Sequence, residues 1–321
     1  MKKQIRSAAA FLTSAACIVS VGAGAAALSG VLGDTDNDGA VGASDIRQVQ
    51  DYLLGRNIAV SEKMDMNKDG TVNVFDLCLL KSASSEEETA IPDYGTAPDT
   101  EATMYSNFRE GATSYFFASD GWSNGSCFDC VWRGSNAVFE QNALNLTISE
   151  DASGEYEYAG AEYRTSDHYH YGYYETSMQA IKNDGVVSSF FTYTGPSENN
   201  PWDEIDIEIL GKDTTKVQLN YYTNGVGNHE VMYDLGFDAS EGYHTYGFDW
   251  QEDHITWYVD GQPIHTAYDN IPTTPGRIMM NVWPGTGVDS WLNAYDGTTP
   301  LTARYQWVTY SEEGAADAEI S

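Results

Sequence analysis

The sequence predicts a two-part protein: an all-β sandwich of two antiparallel sheets over residues 104–310, preceded by a small all-α module made of two loop–helix repeats. Three observations lead there. Residues 104–310 read as short β-branched and aromatic runs separated by Gly, Asn, Asp and Pro turns, with no long stretch of period 3.6. Upstream, an acidic pattern with a central glycine repeats with a period of 31 residues. The composition also favours β-structure, with 13% aromatics, 22 Tyr, 8 Trp and only 9 Pro.

At 321 residues and 41% apolar, the chain can build a sizeable core, so wholesale disorder is excluded. Its formal charge is −32, from 48 acids against 16 Lys plus Arg. A nucleic-acid partner is excluded on that ground, since such a groove needs clustered cations. Abundant aromatics with few positive charges suit a neutral, ring-shaped ligand such as a sugar.

Residues 1–27 read as a signal peptide, which makes the protein secreted. Lys2, Lys3 and Arg6 precede a small, apolar stretch from Ala8 to Ala27, and Ala23-Gly24-Ala25 or Ala25-Ala26-Ala27 offers the cleavage site. That stretch is rich in Ala, Gly and Ser, so no membrane anchor is expected. Cys17 belongs to it, leaving Cys78, Cys127 and Cys130, an odd set that is not a disulfide framework. Cys127 and Cys130 read as a local bridge or two thiols near a loop.

The repeat occupies residues 28–83. Asp34, Asp36, Asp38, Ala40 and Asp45 in the first copy match Asp65, Asn67, Asp69, Thr71 and Asp76 in the second. They stand at loop positions 1, 3, 5, 7 and 12, with Gly39 and Gly70 at position 6 for the sharp turn. A hard cation needs this set: oxygen side chains converge from alternating positions, and position 7 lends its carbonyl. Two Ca2+ are therefore expected here, one per loop. Each loop runs into a short amphipathic helix, with Ile46, Val49 and Leu53 in one and Leu77 and Leu80 in the other. Residues 33–82 closely resemble a dockerin, which implies a cohesin domain of a scaffoldin as partner. The helix pairs that would face cohesin, Ala43-Ser44 and Val74-Phe75, differ between the copies. Residues 84–103 are acidic, lack Lys and Arg, and are expected to be an unfolded linker; residues 311–321 form a similar acidic tail.

Within the sandwich, strands are expected at Tyr171 to Met178, Ser188 to Tyr193, Val217 to Tyr222, His254 to Val259 and Ile278 to Trp283. One further strand stands apart, Trp202-Asp203-Glu204-Ile205-Asp206-Ile207-Glu208-Ile209-Leu210-Gly211. Alternation sends Ile205, Ile207 and Ile209 to the core and Glu204, Asp206 and Glu208 to the opposite face. Three like charges with no cation among them repel, which is unusual for a merely solvated face. Glu204 and Glu208 have Cα atoms ~13 Å apart, yet their long side chains can lean together to ~5 Å, the separation of a retaining glycosidase. Asp206 is too short for either role but can tune both. Neighbouring carboxylates are expected to hold the proton on Glu208.

This strand and the text after it, Lys212 to Gly225, closely resemble bacterial lichenases, β-1,3-1,4-glucanases of glycoside hydrolase family 16 with a jelly-roll fold. The likeness includes Ser188 to Pro196 and Met279 to Trp283. It implies Glu204 as nucleophile, Glu208 as general acid/base and Asp206 as assisting carboxylate, with no cofactor for catalysis. It also implies a cleft made by Asn124, Phe128, Glu162, Arg164, Phe191, Tyr193, Trp202, Gln218, Asn220, Tyr222, Asn281, Trp283 and Trp291. Aromatic faces there would stack on sugar C–H surfaces while amides and carboxylates read hydroxyls. Laminarinases usually insert one residue between the Asp and the second Glu; this chain does not.

Departures are also visible. Gly160 stands where lichenases often place the partner of the cysteine matching Cys130, Gln306 replaces a calcium-binding Asp, Trp122 replaces a cleft-side Tyr, and Pro284 an Asn. His168 and His170 share a strand face without an evident carboxylate partner and read as surface residues. The expected protein is a secreted, cellulosome-associated endoglucanase that hydrolyses β-1,4 bonds of mixed-linkage β-glucan with retention, its catalytic domain monomeric. The alternatives are a laminarinase, a xyloglucan-active relative, or a non-catalytic carbohydrate-binding sandwich, the last of which should lack a complete acid pair.

Overall fold

The computed structural model describes residues 31–36, 39, 41–53, 55–56, 59–83 and 91–313. Residues 1–30, including the segment expected to be a signal peptide, Asp38 and Ala40 of the first loop, residues 84–90 and residues 314–321 lie outside the described residues. The chain divides into two units, Met1–Thr89 and Ala90–Ser321.

In the first unit each acidic loop leads into a helix, α1 (Ala43–Leu53) and α2 (Val74–Ala83). Val49 and Leu80 are fully buried and pack with Val41 and Met64, while Ile46 and Leu77 flank that cluster. Gly33, at φ +95°, lies where a Cβ would stand 2.8 Å from Leu80 Cδ1, so the loop can enter the core only as glycine. Leu53, expected in the core, is exposed, because it is the last residue of α1 and none of the described elements covers it. Val74 and Phe75 are also exposed, at the start of α2.

The second unit is the predicted sandwich. Its strands begin with β1 (Met104–Asn107), β2 (Phe116–Ala118), β3 (Val131–Trp132), β4 (Ala137–Glu140) and β5 (Ala143–Glu150). Next come β6 (Tyr158–Thr165), β7 (Gly172–Gln179), β8 (Val186–Thr194), β9 (Asp203–Leu210), β10 (Lys216–Tyr222) and β11 (Val231–Asp234). The last are β12 (His244–Trp250), β13 (Ile255–Val259), β14 (Gln262–Ala267), β15 (Arg277–Pro284) and β16 (Leu301–Ser311), with a short helix α3 (Asp289–Leu292) before β16. The hydrogen-bonded order is β11-β10-β9-β8-β15-β6-β5-β16-β7-β12-β13-β14, with β2 on β6 and β1 on β16. One sheet, β11 to β6 plus β2, carries the acidic strand; the other, β5 to β14, backs it.

Burial follows the alternation. Ile205, Ile207 and Ile209 are at most 1% exposed and join a core with Phe190, Phe248 and Trp257. Trp257 crosses from the backing sheet and donates its indole N–H to the Asp206 carbonyl at 3.2 Å, which ties the acidic strand to both layers.

Residues 91–103 correct the linker expectation. Asp93 forms a parallel bridge with Tyr243; Tyr94 N–H donates to Tyr243 O at 2.8 Å and Tyr243 N–H to Pro92 O at 2.7 Å. Tyr94 stacks on His244 at 5.1 Å, Arg109 pairs with Asp93 at 2.7 Å, and Thr96 donates to Glu175 at 3.3 Å. A composition argument counts apolar area, and this strap is held by backbone pairing and polar contacts instead. Gly95 makes the close approach possible, since a Cβ there would lie 2.7 Å from Thr245 N and Cγ2. Gly95→Ala should therefore destabilise the second unit by about 1–3 kcal/mol. Thermal unfolding checks it, and an unshifted Tm would show the strap contributes nothing.

Candidate active site

The register of the acid-bearing sheet sets out the site in rows, because directly paired residues share a face. Glu204 lies between Tyr193 on β8 and Tyr222 on β10, with Arg277 beyond Tyr193. Asp206 lies between Phe191 and Asn220, and that row continues through Met279 and Arg164 to Phe117 on β2. Glu208 lies between Ser189 and Gln218, continuing through Asn281 to Glu162 on one side and to Met232 on the other. Period-2 side chains on adjacent strands thus bring distant segments onto one floor.

Over this floor is a cavity of about 880 Å³. All thirteen expected substrate-binding residues and the three acids line it. Trp202 enters from the segment before β9, Asn124 and Phe128 from the loop before β3, and Trp291 from α3. Cys127, Ser189, Ser197, Glu230 and Met279 also line it and were not anticipated. Alternation does carry a signal for two of these: Ser189 precedes Phe191 and Tyr193 by even steps, and Met279 precedes Asn281. Glu230 and Ser197 sit between strands, where no periodicity speaks.

The hydrogen bonds distinguish the acids. Trp202 Nε1–H donates to Glu204 Oε2 at 2.6 Å, and Asp206 hydrogen-bonds the same carboxyl. Gln218 Nε2–H donates to Glu208 Oε2 at 2.7 Å, while its Oε1 accepts from Trp291 Nε1 at 2.9 Å, which orients the amide. Ser189 donates to Asn281 Oδ1 at 2.6 Å and Ser119 to Glu162 Oε1 at 2.5 Å. Loss of water at the floor pushes all three acids up. Glu208 reaches about 7, with Gln218 opposing and Glu230 adding to the rise. Asp206 rises well above the usual carboxylate range through burial and the charges of Glu204 and Glu208. Burial pushes Glu204 up to about 8, with the Trp202 and Asp206 donors opposing the rise and the Glu208 charge adding to it. The expectation that neighbouring charge dominates at Glu208 is thus corrected: desolvation is the larger cause.

Two other expectations are settled by the structure. His168 does have a carboxylate partner, Glu198 at 2.8 Å, which also accepts from Arg277 Nε at 2.7 Å. The turn after β8 delivers that acid from 30 residues away, beyond the reach of local pattern. Cys127 and Cys130 are free thiols, and burial pushes Cys130 well above its usual range.

In the first unit, oxygens of Asp34, Asp36 and Asp45 lie within 4.8 Å of one another. Asp34 Oδ1 is buried without a hydrogen-bond partner. Asp45 is held by the backbone N–H groups of Asp36 and Gly42 at 3.1 and 2.9 Å. In the second loop Asp76 is fully buried and accepts from Asn67 N at 3.2 Å and Asn73 N at 2.9 Å. Asp65 accepts from Asp69 N and Gly70 N, and Thr71 N donates to Asp69. An orphaned buried oxygen among converging carboxylates fits a hard cation.

A cleft floored by acids and walled by indoles, phenol rings and amides defines a carbohydrate-cleaving hydrolase of the carboxylate-pair type. The chain belongs to the glycosyl hydrolases family 16, whose profile matches residues 124–309. Residues 32–83 match the dockerin type I domain, a calcium-binding module. A "Xylanase/beta-glucanase" of Ruminococcus flavefaciens is 63% identical over 228 residues, 69% of this chain and 28% of that protein. A "Beta-glucanase" of Acetivibrio thermocellus is 58% identical over 211 residues, 66% of this chain and 62% of that protein. The match thus spans less than two thirds of either relative. A solved prokaryotic β-1,3-1,4-glucanase (lichenase) from a mouse hindgut metagenome superposes with a TM-score of 0.63 at 56% identity, covering 65% of this chain and 98% of that one. No helix among the described residues is long and apolar enough to cross a membrane.

The Glu208 contacts make opposite predictions. Gln218→Leu removes a donor to the ionised form and should move the Glu208 titration above 7, while Glu230→Gln removes a nearby charge and should lower it. Carboxyl 13C NMR of glutamate-labelled protein reads both; shifts in the reverse directions would contradict the environment described.

Proposed function

We propose that the second unit hydrolyses β-1,4 bonds of mixed-linkage β-1,3-1,4-glucan with retention, and that the first binds two calcium ions and docks onto a cohesin domain. The observation that carries the enzymatic reading is the asymmetry of donors on β9: two donors meet Glu204 and one meets Glu208. The two donors favour the ionised form of Glu204, the nucleophile, against the burial that pushes its carboxyl up to about 8, and burial pushes Glu208, the general acid, up to about 7.

In the first step a Glu204 oxygen attacks the anomeric carbon as Glu208 passes its proton to the leaving glycosidic oxygen. Asp206 donates to Glu204 and holds it in line. The resulting ester removes the charge on Glu204, and Glu208, now ionised, takes a proton from water as that water attacks the anomeric carbon, breaking the ester C–O bond and restoring the Glu204 carboxylate. Trp202 stacks on Tyr222 at 4.6 Å, and Phe128 packs tilted against Trp283 at 4.1 Å, giving apolar walls for pyranose rings. Asn124, Glu162, Arg164, Asn220 and Asn281 supply the hydroxyl contacts; Asn220 Oδ1 and Arg164 Nε are buried without partners, as groups awaiting a ligand would be. The relatives named as β-glucanases support the substrate class, and the uninterrupted Glu204–Glu208 spacing favours mixed-linkage glucan over laminarin.

Reducing-end release from barley glucan, lichenan, laminarin and xyloglucan, measured side by side, tests this. Barley glucan and lichenan should be hydrolysed far faster; activity mainly on laminarin would overturn the substrate reading. In the first unit, Asp34, Asp36, Asp38, Asp45 and the Ala40 carbonyl would hold one calcium, and Asp65, Asn67, Asp69, Asp76 and the Thr71 carbonyl the other. A module this small buries too little apolar surface to fold alone. Chelation, or Asp34→Ala with Asp65→Ala, should abolish cohesin binding while sparing hydrolysis, because Gln306 is bonded to Arg109 and Ser177 rather than offered to an ion. Cohesin affinity unchanged in the double mutant would refute the ligand set, and glucanase activity lost on chelation would reveal a metal site in the second unit.

A further inference from the structure

The turn between β8 and β9, residues 195–201, carries one charged residue, Glu198. Its carboxylate reaches in two directions. Oε1 accepts from Arg277 Nε at 2.7 Å, while Oε2 lies 2.8 Å from His168 Nε2 and accepts from Thr194 Oγ1 at 3.3 Å. Arg277, on β15, also donates from Nη1 to the Thr165 carbonyl at 2.7 Å and to that of Ser166. Glu198 therefore ties the turn to β15 and to the segment after β6. Burial raises its titration, but the His168 and Arg277 hydrogen bonds outweigh that, so the carboxyl stays below its ordinary value and charged. Half-buried charge clusters of this kind are often only structural. This one stands beside the donor to the nucleophile. The Thr194 hydroxyl that donates to Glu198 accepts from Asn200 Nδ2 at 2.8 Å, two residues before Trp202. Ser197, next to Glu198, lines the cleft. At the start of the turn Gly195 lies where a Cβ would overlap the Tyr193 hydroxyl, and Tyr193 separates Glu204 from Arg277 in their row. The far side of Trp202 is held by Gly225 N–H, which donates to its carbonyl at 2.7 Å, and by the stack on Tyr222. Its near side is held by this turn, and the turn by Glu198.

Resting on the retaining reading above, we propose that Glu198 is a positioning residue for the nucleophile: by clamping the 195–201 turn to Arg277 and His168, it fixes the Trp202 indole where its N–H meets Glu204. Glu198 itself touches neither the sugar nor the reacting atoms. A hydrogen bond weakens steeply as its angle falls, so a small swing of the turn is enough to lose the 2.6 Å contact from Trp202 to Glu204. That contact opposes the burial that raises Glu204, so its loss leaves less of the nucleophile ionised. A direct effect of the Glu198 charge has the opposite sign. Removing a negative charge and leaving Arg277 unopposed would favour ionisation of Glu204, so the direction of the change separates placement from charge.

The test reads the indole first. In protein labelled with 15N-tryptophan, the Trp202 Nε1–H resonance, assigned by its loss in Trp202→Phe, should lie downfield in wild type. It should move upfield in Glu198→Ala and in the isosteric Glu198→Gln, each recorded below its own Tm. With barley glucan, both variants should lower kcat/KM about three- to tenfold, chiefly through kcat. The acidic limb of their pH profiles should rise by about half a unit, because Glu204 has lost a donor to its ionised form. In a Trp202→Phe background, Glu198→Gln should add no further shift. An unmoved indole resonance in both variants would overturn the proposal, whatever happens to Tm. A lowered acidic limb would overturn it as well, showing that Glu198 acts by charge alone, and so would a full additive loss in the Trp202→Phe background. Wild type inert on barley glucan would instead overturn the reading of the reaction, while the resonance would still decide whether Glu198 places Trp202.

Discussion

Everything in the second unit depends on the alternation of one strand, β9, which must bury three isoleucines and present three acids at once. The isoleucines fix its register, since a slip of one residue would drive the acids into the core. The cost is electrostatic. Unit charges on next-but-one residues, ~7 Å apart, repel by ~2.4 kcal/mol at an effective dielectric of ~20. Full ionisation of the triad is therefore disfavoured even before desolvation is counted. Protons are retained in the cleft chiefly because burial raises all three acids, and the surrounding donors oppose that rise at Glu204 and Glu208. Trp202 and Asp206 favour charge on Glu204, while the strongly raised Asp206 keeps its own proton and donates it.

The rest of the sheet converts that strand into a site. Paired neighbours on β8 and β10 supply the amides and rings flanking each acid, and β15 and β6 extend the same rows outward. Partners fix partners: Trp291 orients Gln218, which meets Glu208, and Ser189 orients Asn281. Trp257, reaching through from the backing sheet, anchors the Asp206 backbone, so the acidic strand is held from below as well as from its sides.

Much of this was legible in the sequence because it is periodic. The acid strand, the five other strands anticipated and the paired acidic loops follow from spacings of two residues or from a repeat. Strand ends shift by a residue or two, as in β8, which extends to Val186. What escaped was non-periodic or distant. Glu230 enters from a loop; Glu198 reaches His168 across the sheet; the strap is held by main-chain bonds to Tyr243 that composition does not encode. Burial, rather than charge alone, as the main cause of the raised Glu208 likewise depends on a cleft that only the folded chain possesses.

The division of labour between Glu204 and Glu208 is tested most directly by azide rescue with an activated aryl glycoside. With Glu204→Ala the nucleophile is gone, azide attacks the anomeric carbon itself, and the α-glycosyl azide is expected. With Glu208→Ala the glycosyl-enzyme still forms, azide completes a double displacement, and the β-glycosyl azide is expected. Proton NMR of the products distinguishes the anomers. The reverse pair of anomers would contradict the assignment, and failure of azide to restore turnover in either variant would remove these carboxylates from the reaction altogether.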